Sequence, residues 1–191
     1  MARWDELVAR EDPGRRFLET SSSGPRFYAT KEENGKGLHW DVHGPWDCGD
    51  MDEWRDYWDN DDALFRSETG CPGASPVDIL EYTAGGMPLM PCDLSNPLWR
   101  RSFWWIHWQR FIDKVGRAPN DIAEFVAWSQ KWQADALAYA ARATRERFPR
   151  IGGMILWMGH DAFPCTSNTS IVDFYGRPKP AALALKEIWA K

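Results

Sequence analysis

No apolar stretch in this 191-residue chain approaches the roughly 20 residues a membrane helix requires. The N-terminus opens on charged residues where a secretory leader would carry an apolar core, so the expectation is a soluble chain, cytoplasmic if the sequence is complete. Basic residues are outnumbered, 23 against 28 acidic, and they are scattered. A net charge of −5 and a pI near 5.4 therefore leave no surface for gripping phosphates and argue against a nucleic-acid partner. Cysteine is sparse: Cys48, Cys71, Cys92 and Cys165 lie far apart, with no Cys-x-x-Cys pair and no His at finger spacing. That pattern excludes a structural zinc and predicts free thiols. No repeat of 20 to 50 residues is visible, so a solenoid is not supported.

What is present is an ordinary globular balance, 43% hydrophobic and 27% charged, which fits one domain over residues 1–191 with a sizeable core. The unusual component is thirteen tryptophans. Indole is large and its N–H needs a partner when buried, so an excess asks for a reason. Sugar-binding clefts supply one, because the flat apolar face of a pyranose stacks on indole. Large cores and subunit interfaces supply another, and for most single positions that plainer reading is preferred.

Along the chain, residues 2–11 carry Trp4, Leu7 and Val8 at helical spacing until Asp12-Pro13-Gly14 stops the pattern. Strands are expected over 16–22, 38–42, 63–68 and 151–157, the last apolar throughout and read as buried on both faces. A short helix is expected over 52–58, long ones over 97–115 and 120–148, and a final amphipathic helix after Lys179-Pro180. The helix over 97–115 is apolar all round and must be covered on every side. Strands and helices in alternation make this an α/β chain with a parallel sheet of the TIM (β/α)8-barrel type. A complete barrel needs about 250 residues, so four strand units are half of one.

In such a barrel the chemistry sits where the strands end. The strand ends here are His43-Gly44-Pro45-Trp46, Ser67-Glu68, and Trp157-Met158-Gly159-His160-Asp161. A carboxylate, large aromatics and imidazoles converge, which is the equipment of a sugar-cleaving site. Arg66, two residues before Glu68, is expected on the same side of its strand, either supporting the ionised carboxylate or paired with another acid. His39 and His43 lack a third ligand for a metal, and no cofactor is implied. The acidic run from Asp50 to Asp62 reads as a solvated helix face, since the alternation of a calcium loop is absent. Trp99, Trp104, Trp105 and Trp108 read as packing.

Phe65-Arg66-Ser67-Glu68-Thr69-Gly70 resembles the nucleophile strand of glycoside hydrolase family 2, and Asp41-Val42-His43-Gly44-Pro45-Trp46 resembles the preceding strand end of its β-mannosidase branch. The stretch from Gly153 to Pro164 resembles the eighth strand, the stretch from Ser170 to Pro180 resembles the tail before the last helix, and the segment after Asp12 matches the fifth strand more loosely. Each motif is short, but they follow in consistent order. The resemblance implies strands 5 to 8 of the barrel, with Glu68 as the nucleophile of a retaining exo-β-glycosidase. It implies substrate contacts from His43, Trp46, Trp157, His160 and Asp161, and a cis peptide after Trp157. It places the partner acid/base Glu after an Asn at the end of the fourth strand, and no Asn-Glu dipeptide opens this sequence. The chain alone is then expected to be inactive, its partners being a carbohydrate and either the missing N-terminal half-barrel or a second copy. The reading from a different class is a half-barrel without catalysis that binds carbohydrate or pairs with another chain.

Overall fold

The structure, a computed structural model, describes residues 2–15, 17, 18, 20–22 and 30–190. Its centre is a three-stranded parallel sheet of β1 (Asp41–His43), β2 (Phe65–Thr69) and β4 (Gly153–Leu156), in the order β1-β2-β4. A second, two-stranded antiparallel sheet joins β3 (Gly73–Ala74) to β5 (Ser167–Asn168). The helices are α1 (Ala2–Glu11), α2 (Met51–Asn60), α3 (Val77–Ala84), α4 (Trp108–Val115), α5 (Ile122–Glu146) and α6 (Pro180–Trp189). The α/β class and the parallel pairing are as the alternation of strands and helices implies.

The expected strand over 16–22 is not present at residues 17, 18 and 20–22, while Arg16 and Glu19 lie outside the described residues. Side chains of this segment bond locally or to the neighbouring strands' side chains instead of forming a ladder: Thr20 Oγ1 donates to the Ser22 carbonyl, and Ser21 Oγ meets His43 and Ser67. The parallel sheet thus has three strands among the described residues. β4 also departs from expectation, because it is an edge strand with Ile155 more than half exposed and no residue fully buried.

The single helix expected over 97–115 is broken. A 3-10 segment, Trp99–Trp105, turns at Ser102 (φ −112°, ψ 30°), Ile106 is extended, and α4 starts after His107. The all-round apolar pattern is resolved by this break, since Trp99 and Phe111 turn inward while Phe103 and Trp104 are exposed. The acidic run divides as well: Asp50 caps α2 by accepting from the Asp52 and Glu53 amides, whereas Asp61 and Asp62 are buried.

Two apolar clusters hold the layers together. One packs Trp54 and Trp58 of α2 against the alanine face of α5 (Ala136, Ala140, Ala141) and against Ala181 and Leu185 of α6. The other gathers Leu80, Trp99, Phe111, Phe125 and Val126 around α3, the 3-10 segment and the start of α5. Small residues let α5 and α6 approach closely, which is why the middle of α5 is alanine-rich. Buried polar groups on α5 bond to the loops they support: Ser129 Oγ accepts from the Ala74 amide. Gln133 donates to the carbonyls of Cys71, Thr169 and Ser170, so the segments following β2 and preceding α6 hang from one amide. A side chain at Gly73 would bring Cβ within 2.5 Å of Gln133 Oε1, so only glycine fits there.

Candidate active site

The three parallel strands end side by side and are stitched together beyond their last residues. Thr69 Oγ1 and the Gly70 amide both donate to the Pro45 carbonyl, at 2.9 and 3.0 Å, and the Trp157 amide donates to the Thr69 carbonyl at 2.8 Å. The Met158 amide then donates to Thr169 Oγ1, and the Trp157–Met158 peptide is cis. Gly70 lies so close to this crossing that an added Cβ would sit 2.4 Å from the Trp157 carbonyl oxygen. Position 157 is therefore fixed relative to the end of β2 by backbone contact, independent of its indole.

Glu68 owes its direction to a bulge. β2 pairs Val42 with Arg66 but His43 with Glu68, so Ser67 is an extra residue, and the register with β4 shifts over the same stretch. The period of two fails at that point, which corrects the expectation that Arg66 and Glu68 share a side. Arg66 is fully buried: Nη2 donates to Asp61 Oδ1 at 2.6 Å, Nη1 donates to the Gly44 carbonyl, and the guanidinium lies 4.9 Å from the ring centre of Trp58 and 5.3 Å from that of Tyr57. Of the two partners considered for Arg66, the structure gives it the other acid. Glu68 remains partly open, its side chain 30% exposed, with Oε2 3.5 Å from His43 Nδ1.

His43 is held from its other side. Its Nε2 lies 2.8 Å from Ser21 Oγ, and the Ser21 hydroxyl donates to Ser67 Oγ at 2.7 Å. Nδ1 is the nitrogen turned toward Glu68, and Nε2 the one turned toward Ser21. Trp46 meets the His43 ring edge to face at 6.3 Å. The loop between them needs Gly44 at φ 69°, with the Trp46 ring 3.2 Å from where a Cβ would stand. On the opposite flank the Trp157 indole is 5.7 Å from that of Trp105. Trp105, read from sequence as packing alone, thus also stands at the strand ends.

The structure brings His43, Trp46, Glu68 and Trp157 to one end of the sheet. His160 is exposed and pairs through its backbone with Val172. Asp161 is buried behind the loop, accepting from Asn168 Nδ2 at 3.1 Å and Ser170 Oγ at 2.5 Å, with Lys179 Nζ 3.7 Å away. Burial pushes Lys179 below its ordinary range even against the opposing pull of Asp161. Among the described residues no group of three or more His, Cys, Asp or Glu is placed to hold a metal ion. Nor is any helix among the described residues long and apolar enough to cross a membrane.

A cluster that sequence did not single out anchors the Trp46 loop. Asp47 accepts both Nη1 and Nη2 of Arg110 at 2.8 Å and lies 3.1 Å from Nε2 of buried His107. Burial alone would raise the Asp47 carboxyl, but the bonds and charges of His107 and Arg110 outweigh it and hold the group well below the usual range. Burial lowers His107 in turn, despite the neighbouring carboxylate. The four thiols are free, as the cysteine spacing predicts, and burial pushes Cys48 up to about 12 and Cys165 up to about 11. A hollow of ≈ 530 Å³ is lined by Arg142, Arg145, Glu146, Ala184, Glu187 and Ile188 and includes none of the strand-end residues.

No protein-family model matches the chain. Its curated relatives include β-mannosidase B of Thermothelomyces thermophilus, 34% identical over 80 residues, and β-mannosidase B of Aspergillus oryzae, 32% identical over 75 residues. The chain resembles a segment of the β-mannosidases of glycoside hydrolase family 2. The alignments take in 39% and 38% of this chain but only 9% of either relative, so it spans a small part of the proteins it matches. The crystal structure of a β-D-mannosidase from Dictyoglomus thermophilum superposes on 96% of the chain with a TM-score of 0.62 at 21% identity, using 22% of that enzyme. This likeness shows the fold: three parallel strands and their helices are arranged as in part of that enzyme.

Proposed function

We propose that residues 1–191 form one part of the catalytic domain of a retaining exo-β-glycosidase, β-mannosidase-like, covering strands 5 to 8 of a (β/α)8 barrel, with Glu68 as its nucleophile. The observation that carries this reading is the bulge in β2, which turns a carboxylate out of the strand beside His43 and next to the fixed position of Trp157. In the reaction a Glu68 carboxylate oxygen bonds to the anomeric carbon as the bond from that carbon to the leaving oxygen breaks. The leaving oxygen takes its proton from a second carboxyl about 5 Å from the first, and water later cleaves the glycosyl ester with inversion again, giving net retention. Asp41 does not fill the second role, being buried and accepting from the Ser67 amide. The acid is supplied by another segment of the barrel, and without it turnover falls roughly 100- to 10,000-fold. His43 steers Glu68 and a substrate hydroxyl, Trp157 offers its face beneath the sugar, and Trp46 closes the cleft behind His43. His160 contacts substrate from the exposed rim, and Asp161 braces the loop between them.

The test is mechanism-based labelling of the complete gene product that contains this chain. A 2-deoxy-2-fluoro-β-mannosyl fluoride should add one fluorosugar mass to the peptide bearing Glu68. Glu68→Gln should abolish that adduct and lower turnover roughly 10,000-fold or more. A label on another carboxylate, or none, rejects the assignment.

A second reading is supported by the exposed edge of β4, where Ile155 faces outward. On that reading the chain is a half-barrel without catalysis, which binds carbohydrate or pairs with another chain through this edge.

A further inference from the structure

The extra residue of the β2 bulge has no ladder partner of its own, so its geometry is set by side-chain bonds. The Ser67 amide donates to Oδ1 of buried Asp41 at 3.1 Å, and Ser67 Oγ accepts from the Ser21 hydroxyl at 2.7 Å. The same Ser21 oxygen lies 2.8 Å from Nε2 of His43, whose Nδ1 is 3.5 Å from Glu68 Oε2. Asp41 and His43 are the two ends of β1, so both ties from the bulge lead back to one strand. Ser21 itself belongs to neither strand. Its hydroxyl, with one proton and two lone pairs, can serve His43 and Ser67 together. A single oxygen from a third segment thus closes the connection between the end of β1 and the bulge of β2.

We propose that Ser21 is a positioning residue for the nucleophile: its hydroxyl fixes both the ring of His43 and the bulge that turns Glu68 out of β2. The inference rests on the proposed role of Glu68. Ser21 acts through His43 and Ser67, so its contribution falls on the aim of the carboxylate and not on the hold on the sugar. A reacting atom misplaced by about 1 Å loses roughly 100-fold in rate, and taking away the bonds at His43 Nε2 and Ser67 Oγ frees both supports of that aim. Bond formation between Glu68 and the anomeric carbon then slows while binding is kept.

The test uses the complete gene product that contains this chain. The rate of labelling by 2-deoxy-2-fluoro-β-mannosyl fluoride, followed against reagent concentration, gives a maximal rate and a half-saturating concentration separately. Ser21→Ala should lower the maximal rate about 10- to 100-fold and leave the half-saturating concentration within about twofold of wild type. Ser21 is exposed, so its truncation opens no cavity and the urea unfolding midpoint should not move. Ser21→Thr, which keeps the hydroxyl, should restore most of the rate. Added to His43→Gln, Ser21→Ala should cost much less than it does alone, because the two side chains act in one chain of bonds. Equal maximal rates in wild type and Ser21→Ala overturn the positioning role and leave Glu68 as the nucleophile. A lowered affinity and midpoint at an unchanged maximal rate, or effects that multiply in full with His43→Gln, overturn it as well. Absence of label on wild-type Glu68 overturns the nucleophile and this role with it.

Discussion

Asp47, His107 and Arg110 tie the loop after β1 to the start of α4 across some sixty residues of sequence, and that separation is why no local pattern announced them. Glu68, His43 and Trp157 were legible because each closes a strand, and strand ends can be found from apolar runs. Side chains that meet only through tertiary packing leave no such trace. The cluster has a measurable pH signature. His107 has a lower pKa when folded, so unfolding takes up a proton once the pH falls below about 6.5, the value of a free histidine. Stability is then lost on acidification, with a contribution of at most about 1.4 kcal/mol per pH unit. Asp47, also depressed, adds a further loss below about pH 4. His107→Gln keeps a donor for Asp47 and removes the titration. Urea unfolding between pH 7 and 5 should therefore show a shallower decline in the variant, and an identical slope would show that His107 carries no such linkage.

Among the elements, α5 was read almost to its ends, because Asp121 caps it and its apolar positions repeat at 3.6 residues over a long span. The 3-10 segment was not, since Leu98 to Ile112 contains no glycine or proline and nothing in its composition marks the turn at Ser102. β3 and β5 are too short, at two residues each, to show any alternation. The bulge in β2 escaped for a related reason: an inserted Ser67 looks like one more strand residue until its pairing is known. The close contact of α5 with α6 has its own test. Ala140 is fully buried there, and Ala140→Leu should cost about 1–3 kcal/mol through overpacking. Ala127→Leu, on the exposed face of the same helix, should stay within about 0.5 kcal/mol, as measured by chemical denaturation.

For the molecule as a whole, the parallel sheet is bounded among the described residues by β1 on one side and β4 on the other, and β4 presents Ile155 along its edge. Unpaired strand edges recruit other strands. The chain on its own should therefore associate in sedimentation measurements, and Ile155→Lys should shift it toward the monomer; a wild-type monomer would count against the edge as a joining surface. The same openness bears on Arg66. An unclosed sheet of three short strands has little to stop one strand sliding past its neighbour, yet moving β2 by a single residue would throw this guanidinium to the other face and leave Asp61 stranded in the interior, a loss of roughly 3–5 kcal/mol. Arg66 works as an indexing pin. The aim of the carboxylate at position 68 is thus set by a charge whose own bonds are made elsewhere, and the alignment is locked within the sheet itself.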